Sequence, residues 1–176
     1  MMRRKKPEDL REWCYPFIFE TRLTCDYEIL TDELCCHIGV VLSLLPAGFD
    51  EIRADLERLQ PLIYHLNGSV RGKNGIFEQD IVWLKDRYSH YQQATSGRVN
   101  GFVLPRGPAP VPQLHLCRCT GKKIVRMLVR LEEEGRRFDE TLPRFANVLA
   151  NFFFVLTVFI KARLGTEEVP YISINY

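Results

Sequence analysis

From Phe145 to Ile160 the chain reads FANVLANFFFVLTVFI, apolar on nearly every side of a helix, with Asn147 and Asn151 as the conspicuous polar interruptions. A helix that is hydrophobic all round has to be surrounded, so this segment is expected to be the central element of a helical bundle. Its most apolar part, Phe152 to Ile160, lies between Asn151 and Lys161 and spans about half of the roughly 20 residues that a membrane helix needs. It therefore reads as a core helix, running over about Thr141 to Leu164. Asn147 and Asn151 stand at i and i+4 and share a face. They either find partners inside the core or point together at a ligand, because an unpartnered buried amide costs about 1–3 kcal/mol.

Outward from this helix, four more segments carry helical signals with breakers between them. Thr31 or Asp32 is a candidate cap for a helix to about Leu45, ended by Pro46, Ala47 and Gly48. The next starts near Asp50, places Ile52, Leu56, Leu59, Ile63 and Leu66 on one face, and stops at Asn67-Gly68, with a kink expected at Pro61. A third covers about Glu78 to Ala94, after a loop marked by Gly72 and Gly75. Between Gly97 and Pro112 lie Pro105, Pro108, Pro110 and Pro112, which favour a stiff, extended connection and make this the loop to inspect for function. The fourth helix spans about Gln113 to Glu134. Only Tyr15 to Thr21 and Val169 to Asn175 hint at strand. The fold class is all-α.

A chain of 176 residues suits one domain, with residues 1–20 as an N-terminal extension. A net charge of +2 gives no case for nucleic acid or membrane as a partner, although Arg3-Arg4-Lys5-Lys6 is a local basic cluster. Those charges run into Pro7, Glu8 and Asp9 instead of an apolar stretch, so no secretory signal is read and a cytoplasmic location is expected. The six cysteines are expected to be reduced thiols. Cys35, Cys36 and His37, with Cys117 and Cys119, offer soft ligands, but consecutive helical positions point about 100° apart, and no metal site is expected.

Chemistry concentrates on the fourth helix. Helical rotation puts His115, Arg118, Lys122 and Arg126 in one stripe beside the apolar Leu114, Cys117, Val125 and Leu128. Stacked like charges repel by a few tenths of a kcal/mol per pair unless something anionic lies among them. A phosphate chain would serve, and so would acidic partners from the protein itself.

The stretch Phe102-Val-Leu-Pro-Arg-Gly, followed by Leu114-His-Leu-Cys-Arg118, resembles the signature of the ATP:cob(I)alamin adenosyltransferase family, in which an F-x-L-P-x-G loop leads into a helix beginning L-H-x-x-R. Thr31-Asp32-Glu33-Leu34 with His37-Ile38-Gly39, Glu78-Gln79-Asp80-Ile81, and Phe145-Ala146-Asn147-Val148-Leu149 with Phe152-Phe153-Phe154 resemble further family motifs in the same order. The likeness covers roughly residues 20 to 165.

The resemblance implies an antiparallel five-helix bundle that assembles as a homotrimer with active sites between subunits. It implies transfer of the adenosyl group of ATP, with Mg2+, to the cobalt of reduced cobalamin, triphosphate being the leaving group. Phe102 matches the aromatic that displaces the corrinoid's lower ligand. Arg118 matches an arginine that pairs across subunits with the aspartate matched by Asp32. Thr21 and Arg22 match the opening of the phosphate-wrapping loop; Lys122, Lys123 and Arg126 fall in the basic run that meets ATP; Asn147 matches an ATP-contacting asparagine. A corrinoid reductase or a B12-dependent enzyme would be a further partner.

The chain departs from the pattern on the nucleotide side. Thr21-Arg22-Leu23-Thr24-Cys25-Asp26-Tyr27 contains no glycine where the family has T-R-T-G-D-x-G-x-T, and glycine is what lets backbone N–H groups come close to phosphate. Lys122-Lys123-Ile124-Val125-Arg126 replaces R-R-A-E-R, and lysine lacks the planar fork of arginine. Val148, Ala150 and Asn151 replace an arginine, a serine and an aspartate. Two other readings stay open on these grounds: a non-catalytic corrinoid-binding relative, and a helical interaction protein that kept only the fold.

Overall fold

The computed structural model describes residues 7–175, so the basic cluster at Arg3 to Lys6 lies outside the described residues. After a short 3₁₀ turn, Leu10–Glu12, come five helices: α1 Leu23–Leu44, α2 Asp50–Ser69, α3 Glu78–Ala94, α4 Val111–Glu133 and α5 Thr141–Arg163. No strand forms among the described residues. Tyr15 to Thr21 folds as turns and bends, and the tail contributes a single antiparallel bridge, Val103 to Pro170.

The main correction to the sequence reading is the start of α1, which begins at Leu23, two turns before Thr31. Thr31 caps nothing: its hydroxyl donates back into the helix, to the carbonyls of Tyr27 at 3.0 Å and Glu28 at 2.9 Å. No Gly or Pro lies between Leu23 and Thr31, and burying Tyr27 rewards extending the helix backward. The helix α2 likewise runs through Pro61 and past Asn67-Gly68 to Ser69. The Asn67 amide donates instead to the Glu28 carbonyl at 2.8 Å and Thr31 Oγ1 at 2.6 Å, joining α2 to α1. At its N-terminus α4 takes in Pro112, which the first turn tolerates because its N–H would have no helical partner.

In space the helices follow the order α2, α1, α4, α5, α3, and α5 also touches α2. Sequence neighbours run antiparallel, while α3 and α5 lie side by side and parallel: Arg144 near the start of α5 pairs with Glu78 at the start of α3, and Phe159 meets Tyr91 near both C-termini. As expected, α5 is the central element. Phe145, Phe152, Phe153, Leu149, Leu156 and Ile160 are fully buried, each worth about 1.5–3 kcal/mol on transfer from water. Its 18-residue window is apolar enough to cross a membrane, yet 72% of it is buried against the other helices. Gly121 brings α4 close to α5, since a Cβ there would stand 3.4 Å from the Ala150 Cβ.

Two polar networks fix the outer helices. Asp55 on α2 accepts from Tyr91 Oη at 2.6 Å and Arg87 Nε at 2.8 Å, tying α2 to α3. Buried Glu28 accepts from Arg71 Nη2 and from Tyr15 Oη, both at 2.6 Å, while the Arg71 guanidinium lies 3.8 Å from the Phe17 ring. The described part of the N-terminal extension is thereby docked on the bundle.

Candidate functional site

The Pro-rich connection singled out from the sequence joins α3 to α4 at the end of the bundle where α5 finishes. Phe102 sits on it with 65% of its surface exposed. The tail after α5 supports the backbone around it: the Tyr171 N–H donates to the Phe102 carbonyl at 2.9 Å, and the Leu104 N–H donates to the Val169 carbonyl at 2.8 Å. A bulky apolar ring is thus presented to the outside on an anchored backbone.

Beneath the loop, the first turns of α4 carry His115 and Arg118. His115 is 5% exposed, and its Nδ1 has no partner among the described residues. Burial, reinforced by the charges of Arg118 and Lys161, pushes its pKa down to about 4, so the imidazole is neutral near pH 7. Arg118 is half-buried with its guanidinium 5.6 Å from the centre of the Phe154 ring, and its Nε is also without a partner. The predicted stripe therefore divides. Its upper half, His115 and Arg118, faces inward, while Lys122 and Arg126, together with Lys123, are exposed and make no ion pair among the described residues.

Asp32 is exposed on α1 and accepts from Tyr64 Oη on α2 at 2.9 Å; it makes no pair with Arg118 within the chain. Asn147 and Asn151 lie on the exposed strip of α5, not in its core, and Asn147 Nδ2 donates to the Pro143 carbonyl at 2.8 Å. Both are within a turn of the Gly121–Ala150 crossing, as is Lys122.

At the opposite end of the bundle, Thr21 and Arg22 line a cleft of about 540 Å³ with Thr24, Leu131, Glu134, Gly135 and Arg136. The segment expected to be a loop from Thr21 to Tyr27 is helical from Leu23 onward, and no side chain caps α1. The cleft thus meets an uncapped helix N-terminus, with its partial positive charge, beside two arginines. All six cysteines are free, with Cys25, Cys35 and Cys117 buried. No group of three metal-capable side chains occurs among the described residues.

Three residues of this region escaped the sequence reading. Tyr64 was invisible because its partner Asp32 is 32 positions away on another helix. Lys161 looked like an ordinary basic residue in a last helical turn, although it is 1% exposed. Arg136 followed a helix end and carried no motif.

The bundle has counterparts among solved structures and curated proteins. A PduO-type ATP:corrinoid adenosyltransferase from Lactobacillus reuteri, solved as a variant complexed with cobalamin and ATP, superposes with a TM-score of 0.80 over 87% of this chain and 88% of its own, at 22% identity. Such a likeness establishes the shared fold. The cobalamin adenosyltransferase of Cupriavidus metallidurans is 31% identical over 78% of this chain and 74% of its own length, and the corrinoid adenosyltransferase of Bacillus subtilis is 28% identical over 80% and 75%. The family model described as cobalamin adenosyltransferase matches residues 30–160. The chain belongs to the cobalamin adenosyltransferase family.

Proposed function

We propose that this protein transfers the adenosyl group of ATP, bound with Mg2+, to the cobalt of a reduced corrinoid, acting as one domain in a cytoplasmic homotrimer. The observation that carries the reading is Phe102: an exposed aromatic on a backbone hydrogen-bonded to the tail, at the family's spacing from His115 and Arg118. Its ring is placed to cover one face of the corrinoid and keep the lower ligand away. Once an external one-electron donor has reduced the cob(II) corrinoid to cob(I), cobalt attacks the adenosyl carbon with its electron pair as the bond to triphosphate breaks. The protein needs no nucleophile of its own; it positions two substrates and excludes water.

The nucleotide side uses charge without a glycine loop. The α1 N-terminus, Thr21 and Arg22 hold phosphate oxygens, with Lys122, Lys123, Arg126 and Asn147 closing on the triphosphate from a neighbouring copy. Arg118 reaches Asp32 of that neighbour, and Tyr64 orients the carboxylate so that one oxygen is left for it.

Titrating the protein with cob(II)alamin in the presence and absence of ATP tests this reading. A transferase shows the absorbance change that reports loss of the lower ligand only when ATP is bound. Corrinoid binding that ATP neither strengthens nor alters would assign the fold to a carrier role and contradict the proposal.

A further inference from the structure

At the Phe102 end of the bundle a charge is buried that the proposed reaction does not use. Lys161, in the last turn of α5, is 1% exposed, and its Nζ lies 2.9 Å from Glu168 Oε2 and 3.4 Å from the Arg106 carbonyl oxygen. One ammonium group therefore joins the central helix, the Phe102 loop and the tail. The loop passes close to it at Gly107, where a Cβ would stand 3.4 Å from Lys161 Cδ and 3.0 Å from Val111 Cγ1. At Gly165 the backbone takes φ 65°, a left-handed turn that suits glycine and sends the tail back toward the loop. The tail then pairs with the loop on both sides of the Phe102–Leu104 segment, through Tyr171 N–H to the Phe102 carbonyl and Leu104 N–H to the Val169 carbonyl.

A second tie, Arg98 Nη2 to Glu167 Oε1 at 3.2 Å, is exposed on its acidic side and contributes little by comparison. Losing one partner of the Lys161–Glu168 pair, in contrast, leaves a charge in the interior with no counterpart, which the tail can relieve only by moving. The place of Phe102 is therefore tied to a side-chain pair that does not touch it.

We infer that Lys161 and Glu168 are positioning residues for adenosyl transfer: their buried pair latches residues 166–171 against residues 102–106 and so sets where the Phe102 ring meets the corrinoid. The inference rests on the role given to Phe102 above. Neither residue contacts the reacting atoms.

The test compares the full-length protein with Glu168→Gln, Lys161→Gln and the exchanged pair Lys161→Glu/Glu168→Lys. Each single variant, folded by circular dichroism, is expected to speed hydrogen exchange at the Leu104 and Tyr171 amides by about tenfold or more, as local opening of the tail requires. Bound cob(II)alamin should keep its lower ligand in a larger fraction of molecules. The rate kcat should fall about tenfold with ATP affinity within about twofold, because a ring displaced by an ångström still leaves the nucleotide site intact. The exchanged pair should recover part of each loss. Where a single variant does not fold, Lys161→Ala/Glu168→Ala removes both charges together with the side-chain contact between them and should show the same loosened amides. Unchanged exchange in a folded variant would overturn the latch, and so would a loss of ATP affinity that tracks the loss of kcat. A wild-type protein that converts no corrinoid, while its variants do loosen the tail, would instead reject the role of Phe102 and leave the pair purely structural.

Discussion

At Phe102 the proposed function and fold stability separate cleanly. Because the ring is largely exposed, Phe102→Ala should change unfolding free energy by no more than about 0.5 kcal/mol, as surface substitutions usually do. Turnover should nevertheless fall by at least tenfold in a steady-state assay, because the ring acts on the corrinoid and not on the core. His115 gives the opposite case, a buried group whose protonation bears on folding. Its folded pKa of about 4 lies below the ordinary imidazole value of 6.5, so the unfolded chain takes up a proton that the folded one refuses. The stability associated with the neutral ring is complete above pH 6.5 and is lost as pH falls toward 4, by up to roughly 3 kcal/mol. Denaturant melts between pH 7 and 4 should show that slope, and His115→Gln should flatten it. Phe102 and Arg118 could be nominated from the sequence because a loop and the helix after it carry the family's spacing. The hydrogen bond between Tyr64 and Asp32, and the burial of Lys161, arise from packing between distant segments, which linear spacing does not record.

Among the elements, α5 was the most legible, because a helix apolar all round admits only a central place. The bounds of α3 were also read correctly, and Asp80 explains its sharp start: its carboxylate accepts from the Phe77 N–H at 2.9 Å. For α1 the sequence misled. A Thr-Asp pair looks like a cap, yet Thr31 bonds back into a helix already under way, and the start of α1 was decided by the burial of Tyr27. Where α4 crosses α5, a Cβ on Gly121 would just touch the Ala150 Cβ at 3.4 Å, so a methyl fits there and a longer side chain does not. Gly121→Leu should therefore lower stability by about 1–3 kcal/mol through overpacking, read as a drop in Tm. On the exposed side of the same helix, Lys122 and Arg126 have no acidic partners among the described residues, so Lys122→Glu/Arg126→Glu should spare the fold. Isothermal titration should then find ATP affinity reduced by about tenfold or more, since two attractive contacts become repulsive.

For the whole molecule, the positions of the candidate residues matter most. Phe102 sits at one end of the bundle and Thr21 and Arg22 at the other, separated by the length of α4, ~34 Å at the helical rise. Asp32 and Arg118 do not meet within the chain. One copy thus holds the parts of a site without assembling them, which argues for a site completed by another copy; under the proposed homotrimer sedimentation should find three copies together, and Asp32→Asn should weaken that assembly. This separation leaves no direct sign in the order of the motifs, which does not record the end of the bundle that each one occupies. The central claim is adenosyl transfer, and the most direct measurement mixes the purified protein with ATP, Mg2+ and chemically reduced cob(I)alamin and follows the absorbance spectrum. The account predicts conversion to adenosylcobalamin with release of one triphosphate per corrinoid. A folded trimer that leaves the cob(I)alamin spectrum unchanged would contradict it.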